Sequence, residues 1–263
     1  MNVQQALQSG GIDAREARLL LAAATGFSEA AVSAFPERHL PPEIRKVFFE
    51  FANRRRGGEP VAYILGRKEF YGLELAVNPA VLIPRPETEL LVDLALEKHP
   101  SSILDLGTGS GAIALALKRH CPHARVVAVD ASAAALAVAR RNAVKHGLDI
   151  EFRHGRWLEG LGAERFELIV ANPPYIAAGD PHLPELRFEP GTALVSGADG
   201  LDAIREIVRA APAHLAAGGW LLLEHGQGQE GDVKDLLLAA GFGSLGVWPD
   251  LAGIARVSGG KIE

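Results

Sequence analysis

From Ser101 onward the chain repeats one pattern: an apolar run, a glycine-rich or polar break, then a stretch with helical spacing. This repetition limits the fold more than any other feature. The apolar runs are "ILDL", "ARVVAV", "IEFRH", "FELIVA" and "GWLLLEH", and between them lie "AIALALKRH", "AAALAVARRNAVKHG" and "LDAIREIVRAAPAHL". Strands alternating with helices pair in parallel and are covered on both faces, and their ligands bind at the carboxyl ends of the strands. The closing segment "GFGSLGVWPDLAGIARVSGGK" holds two more strands, near 242–248 and 253–258, with no helix between them. So short a connection cannot make a parallel crossover, so these two pair antiparallel. The fold class is α/β, with a mostly parallel sheet and an antiparallel edge.

Upstream the pattern differs. Asp13 followed by Glu16 resembles a capping arrangement before "ARLLLAAAT", which Gly26 can close, and Ser28 can cap "EAAVSAF". Pro41 and Pro42 can open "EIRKVFFEFANRRR", which stops at Gly57 and Gly58. Arg54 to Arg56 read either as a solvated last turn that complements the helix dipole or as a contact for a macromolecular partner. In "EFYGLELAVNPA", Leu73, Leu75 and Val77 alternate with Glu74 and Ala76 after Gly72, as a β-hairpin would. Pro86, Glu87 and Glu89 then suit the start of a helix. The division expected is a helical domain over 1–67, a hairpin connector over 68–84 and the α/β domain over 85–263.

With 263 residues, 48% of them hydrophobic, the chain can bury a sizeable core. A formal net charge of −5 gives no broad basic surface, so long nucleic acid is not the expected partner. Cys121 is the one cysteine, which excludes an internal disulfide and suits a reducing compartment. No apolar run is long enough to span a membrane, and "MNVQQALQSGG" lacks the regions of a signal peptide, so the chain reads as cytoplasmic. "HCPH", His120 to His123, has ligand-like spacing but ends a helical pattern, where a surface turn outweighs a metal site.

"ILDLGTGSGAIALAL" places Gly107, Gly109 and Gly111, with Thr108 and Ser110 between them, where a strand meets a helix. Glycines there let the backbone turn sharply and approach a ligand, and the helix start offers N–H groups to an anion such as a carboxylate. The run also satisfies G-x-G-x-x-A through Ala112, so the glycines alone leave a dinucleotide site open. Asp130 ends the next strand, where a carboxylate can accept both ribose hydroxyls or simply cap the following helix. Asp105 could order the glycine loop or face an amino group. No Lys-Ser/Thr follows the glycines, so phosphoryl transfer is disfavoured. Methyl transfer from S-adenosylmethionine leads, because it needs an adenosine site and no phosphate cradle.

"VANPPYI" follows the strand "FELIV", and Pro173 and Pro174 end it by removing two donors in succession. A planar, weakly nucleophilic amide nitrogen must be held in line with a methyl donor while oxygens accept its N–H bonds. The Asn172 side-chain oxygen and the Pro173 carbonyl can accept them, the prolines bring no competing donor, and Tyr175 can pack on the flat acceptor group. A stiff turn with a buried tyrosine is the plain alternative for the tetrapeptide taken alone.

Together with "IPRPETE", "DPHLPELRFEP", "ALVSGADGLDAIR" and "GGWLLLEHG", these segments resemble the bacterial protein-(glutamine-N5) methyltransferases of peptide-chain release factors, the HemK or PrmC family. The resemblance implies a class I, Rossmann-like methyltransferase domain with a seven-stranded sheet, and a helical N-terminal domain that helps engage the substrate. It implies S-adenosylmethionine as cofactor and class 1 release factors as partners, methylated on the glutamine of their Gly-Gly-Gln sequence. Carried over, the cofactor meets Gly107, Thr108, Gly109, Ser110, Gly111, Asp130, Trp157 and Asn172, and the glutamine meets Asn172, Pro173, Pro174 and Tyr175. Arg85 orients backbone or reaches the substrate. Family members often carry an acid where Arg156 stands, and Trp157 packs beside adenine or in the core. The segment 176–200 is longer than a plain connector and reads as a lid. A ribosomal-protein glutamine, an adenine or cytosine amine in nucleic acid, and a non-catalytic binding role are the competing assignments.

Overall fold

The computed structural model describes all of residues 1–263, in two compact units, Met1–Arg67 and Lys68–Glu263. The first unit is helical: α1 (Val3–Ser9), α2 (Ala14–Thr25), α3 (Glu29–Ala34), α4 (Pro42–Arg56) and α5 (Val61–Leu65). Asp13 accepts from the backbone N–H groups of Arg15 and Glu16 at 2.8 and 3.2 Å, and Gly26 ends α2 at φ 73°. Ser28 caps α3 through Ala31 N–H at 3.2 Å. Leu20, Leu21, Leu40 and Phe48 close the core of the unit. The arginine cluster at the end of α4 is engaged inside this unit. Arg54 pairs with Glu59 at 2.6 Å, Arg55 pairs with Glu16 at 2.7 Å, and Arg56 bonds to Asn53.

A hairpin of β1 (Arg67–Phe70) and β2 (Leu73–Ala76) follows. Its two-residue turn is Tyr71-Gly72, with φ values of 49° and 73°. Two successive positive φ angles match the twist of a tight hairpin. Glu89 fixes the turn by accepting from Tyr71 N–H at 2.9 Å, a role beyond favouring a helix start.

The second sheet has seven strands: β3 (Ser102–Leu106), β4 (Arg125–Asp130), β5 (Glu151–His154), β6 (Phe166–Ala171), β7 (Leu215–Glu224), β8 (Gly243–Pro249) and β9 (Ala255–Lys261). Their order is β5-β4-β3-β6-β7-β9-β8. Every pair up to β7 is parallel, and β9 runs antiparallel between β7 and β8. Alternate residues of the buried strands serve opposite faces. Ile103, Val126 and Leu168 pack under α6 (Glu89–Leu96) and α7 (Ala112–His120), with Ala143 of α8 (Ala133–His146). Leu104, Val127 and Ile169 pack under α9 (Asp202–Ala210) and α10 (Glu230–Ala239).

The helix read over "LDAIREIVRAAPAHL" stops at Ala210, and a 3₁₀ turn over Ala211–His214 takes its place. Pro212, which has no N–H to donate, accounts for the break. The ends of the segment 176–200 are joined: Ile176 N–H donates to Leu194 O at 2.9 Å and Ser196 N–H to Ile176 O at 2.9 Å. No helix is long and apolar enough to cross a membrane.

Candidate active site

The strand order reverses at β3, with β4 and β5 laid down on one side of it and β6 and β7 on the other. A crevice opens at such a switch point beyond the strand ends. Here it is a cavity of about 390 Å³ lined by Gly107, Gly109, Asp130, Trp157 and Asn172.

Gly107, Gly109 and Gly111 have φ values of 72°, 57° and 85°, which side chains rarely adopt. Their surroundings differ. Gly107 lies under the Trp157 indole, 3.1 Å from where a Cβ would stand, and Gly109 has only the Gly107 carbonyl, at 4.0 Å. A Cβ on Gly111 would fall 2.8 Å from Leu115 and 3.2 Å from Ala139, so this glycine lets α7 and α8 pack. Gly107 and Gly109 line the cavity, whereas Thr108 and Ser110 are buried behind it.

Four N–H groups of the turn itself are taken up within the protein. Gly107 and Thr108 donate to Val129 O at 2.8 and 3.0 Å, Gly111 donates to Thr108 O at 2.8 Å, and Gly109 donates to Asp130 Oδ2 at 2.8 Å. What the turn presents is bare backbone. Two buried groups set its shape. Asp105 accepts from Thr108 Oγ1 at 2.6 Å, and burial pushes its carboxyl up to about 7. Asn142 of α8 donates to Ser110 O at 2.9 Å and exchanges bonds of 2.7 and 3.0 Å with Ala76 of the hairpin.

Asp130 holds the turn and the ligand side together. Its oxygens accept from Gly109 N–H at 2.8 Å and Ser132 N–H at 2.7 Å, while Ser132 itself caps α8 through Ala135. Each carboxylate oxygen has two acceptor positions, so one on each remains for hydroxyls in the cavity. Partial burial raises the Asp130 pKa. Trp157 is at φ 49° and its Nε1 is buried with no hydrogen-bond partner. Arg156 also lines the cavity, and its guanidinium is held by Glu206 of α9, with Nε at 3.0 Å from Oε1.

A second cavity of about 200 Å³, lined by Arg85, Pro173, Tyr175, Ile176 and Leu194, shares Asn172 with the first. Asn172 therefore stands where the two meet. Its Nδ2 donates to Thr88 Oγ1 at 3.0 Å. Pro174 faces the first cavity. Tyr175 points its hydroxyl at Glu224 Oε1, 3.3 Å away, and Gln229 Nε2 donates to the Tyr175 carbonyl at 3.1 Å. Gly200 is required behind it, because a Cβ there would lie 2.2 Å from the Tyr175 carbonyl oxygen.

Arg85 is ion-paired with the nearly buried Glu189, whose other oxygen accepts from Ile83 N–H at 3.0 Å. The pair clamps "IPRPE" to the segment before Pro190. Thr88, Glu189 and Glu224 were not singled out from the sequence; each acts on a residue far along the chain, and no local pattern marks them.

Residues 86–184 match the methyltransferase small domain and residues 2–66 the PrmC N-terminal domain. The chain is 52% identical over 221 residues to the release factor glutamine methyltransferase of Xylella fastidiosa, covering 81% of this chain and 80% of that one. It is 47% identical over 252 residues to the Neisseria gonorrhoeae release factor glutamine methyltransferase, covering 94% and 92%. To that of Pseudomonas aeruginosa it is 50% identical over 252 residues, covering 94% and 91%. Among solved structures, the fold is similar to the hMettl16 catalytic domain in complex with a 3′UTR hairpin, with TM-score 0.61, 14% identity and 82% of each chain covered. It is also similar to a T. thermophilus 16S rRNA methyltransferase in complex with AdoMet and guanosine, with TM-score 0.57, 24% identity, and 75% of this chain and 50% of that one covered.

Proposed function

The chain belongs to the release factor glutamine methyltransferase family, and from that premise we propose that it methylates the side-chain amide nitrogen (N5) of the glutamine in the Gly-Gly-Gln sequence of class 1 release factors. S-adenosylmethionine is the proposed donor. The observation that carries the reading is the position of Asn172, shared by a larger cavity and a smaller one and held by Thr88 so that its oxygen is left over.

The residues present fit the donor. A cavity of about 390 Å³ lies in the range of small-molecule sites. Gly107 and Gly109 bring no Cβ into it, Asp130 keeps an acceptor position on each oxygen for a ribose, and the Trp157 indole offers a flat apolar wall. When bound, S-adenosylmethionine supplies an electrophilic methyl on a sulfonium.

The residues of the smaller cavity treat the other reactant. An amide nitrogen is a poor nucleophile because its lone pair is delocalised, so holding it in line at near-attack distance contributes much of the acceleration. In this reading Asn172 Oδ1 and the Pro173 carbonyl accept the two amide N–H bonds, and no protein group donates to the Pro173 carbonyl. Accepting both bonds orients the nitrogen and stabilises the positive charge that develops on it. Tyr175 walls the flat face of the amide. One N–C bond forms, the sulfonium S–C bond breaks, and the nitrogen releases one proton.

Labelled S-adenosylmethionine offered separately to release factor, ribosomal protein and DNA tests the assignment. Label is expected in the release factor alone, and is lost when the glutamine of its Gly-Gly-Gln is replaced by alanine. Label in DNA or ribosomal protein instead would overturn the substrate.

A further inference from the structure

One side chain that lines neither cavity joins the clamp to two other parts of the domain. Gln229 lies between β7 and α10, directly before the first turn of that helix. Its Oε1 accepts from Gly226 N–H at 2.8 Å, and its Nε2 donates to the Tyr175 carbonyl at 3.1 Å and to the Asp199 carbonyl at 3.2 Å. These partners fix which way the amide faces. A backbone N–H can only donate and a carbonyl can only accept, so the oxygen turns to Gly226 and both hydrogens of the NH₂ are taken by Tyr175 and Asp199.

Two glycines make room for this contact. A Cβ on Gly200 would lie 2.2 Å from the Tyr175 carbonyl oxygen and 2.7 Å from Gln229 Nε2, and a Cβ on Gly226 would lie 3.0 Å from Gln229 Oε1 and 3.3 Å from the Tyr175 ring. The close approach holds a single peptide group, the one between Tyr175 and Ile176. Its carbonyl accepts from Gln229, and its N–H donates to Leu194 O at 2.9 Å. Leu194 alone is no independent anchor, because it belongs to the same segment 176–200. Gln229 ties both the clamp, at Tyr175, and the far end of that segment, at Asp199, to the end of β7.

The placement of that peptide group bears on the clamp itself. The chain leaves β6 at Ala171, whose backbone is set by pairing with Leu106 and Leu223. Pro173 and Pro174 have no N–H to be held by, and their rings fix φ but not ψ. The ψ angles that aim the Pro173 carbonyl are therefore set by where the chain is caught next, at Tyr175. We propose that Gln229 is a positioning residue that aims the Pro173 carbonyl at the methyl acceptor by holding the Tyr175 carbonyl in place. This inference rests on the reading of Asn172 and Pro173 as the acceptor clamp.

The experiment compares wild type, Gln229→Met and Gln229→Glu at saturating S-adenosylmethionine, with kcat, KM for release factor and the Kd of the donor measured for each. The methionine form removes all three hydrogen bonds, while the glutamate form keeps an acceptor for Gly226 and loses the two donors. Both should lower kcat by about 10- to 100-fold, the scale of a reacting group displaced by about 1 Å, with donor affinity little changed. A spectroscopic arm reads the held group directly. With ¹³C at the tyrosine carbonyl carbons, of which the chain has 3, one infrared band should shift to higher frequency in both variants as the Tyr175 carbonyl loses its donor. Wild-type kcat in Gln229→Glu, or an unshifted tyrosine carbonyl band, would refute the proposal. A loss confined to KM or to donor Kd would also refute it, because Gln229 would then order a binding surface rather than aim the clamp. If Gln229→Met does not fold, the nearly isosteric Gln229→Glu decides by the same readings. A wild-type enzyme that labels no release factor would overturn the substrate reading and this inference with it, whereas active wild type with equally active variants removes this inference alone.

Discussion

Alanine at Gly111 and alanine at Gly109 separate a glycine that serves packing from one that serves a ligand. Both positions have positive φ, 85° and 57°, so both variants carry the left-handed strain of roughly 1–2 kcal/mol. Both also gain about 0.4–1 kcal/mol from a less flexible unfolded chain. These contributions nearly cancel in the comparison. What remains is the added methyl group, which at Gly111 meets Leu115 at 2.8 Å and Ala139 at 3.2 Å, and at Gly109 has nothing closer than 4.0 Å. Overpacking of that kind costs about 1–3 kcal/mol. For a chain of this size that corresponds to a melting temperature roughly 3–10 °C lower for Gly111→Ala than for Gly109→Ala. Thermal unfolding without ligand reads the difference. Titration calorimetry with S-adenosylmethionine should then show the opposite order, with Gly109→Ala the weaker binder because Gly109 lines the cavity. Equal melting temperatures, or a less stable Gly109→Ala, would refute the division of roles.

Two further variants probe the site and the buried acid behind the turn. Asn172→Ala should lower kcat by about 10²–10³-fold, the scale of losing one oriented partner of a developing charge, with a much smaller change in donor affinity; collapse of donor binding with turnover at saturation intact would contradict its role. Asp105 is raised from 3.8 to about 7 by burial, so the stability it contributes is fully present below about pH 3.8 and is lost as pH rises through about 7. Asp105→Asn should therefore flatten the decline in unfolding free energy across that window, and denaturant melts showing the same slope in both proteins would exclude it.

Much of the architecture was legible because the signals are local. Apolar runs alternating with helical stretches, Tyr71-Gly72 between two short strands, and glycines between a strand and a helix each need only a few neighbouring residues to be read. The same holds for "NPPY" after "FELIV". Partners brought together by sheet order are another matter. Thr88 reaches Asn172 across 84 positions, and Arg85 reaches Glu189 across 104. No spacing in the sequence announces either. The same holds for the glycine turn, where Gly107 and Thr108 donate to Val129 O and Gly109 to Asp130 Oδ2, acceptors supplied by the adjacent strand.

The two buried acids of the site follow one physical logic. Asp105, at the end of β3, and Glu224, at the end of β7, are both deeply buried and both pushed up to about 7. Each accepts from a hydroxyl, Asp105 from Thr108 in the glycine turn and Glu224 from Tyr175. A buried carboxylate is a costly way to gain a hydrogen bond, and for stability alone an apolar side chain would serve better. What an acceptor-only group adds is direction. It fixes which way a hydroxyl points, and thereby which atoms the next residue turns toward the ligand. Asp105 acts in this way on the turn at the larger cavity, and Glu224 on the Tyr175 hydroxyl at the smaller one. Replacing either acid by its amide keeps size and burial while removing direction, so a loss of turnover without a matching loss of stability is the signature that separates orientation from packing.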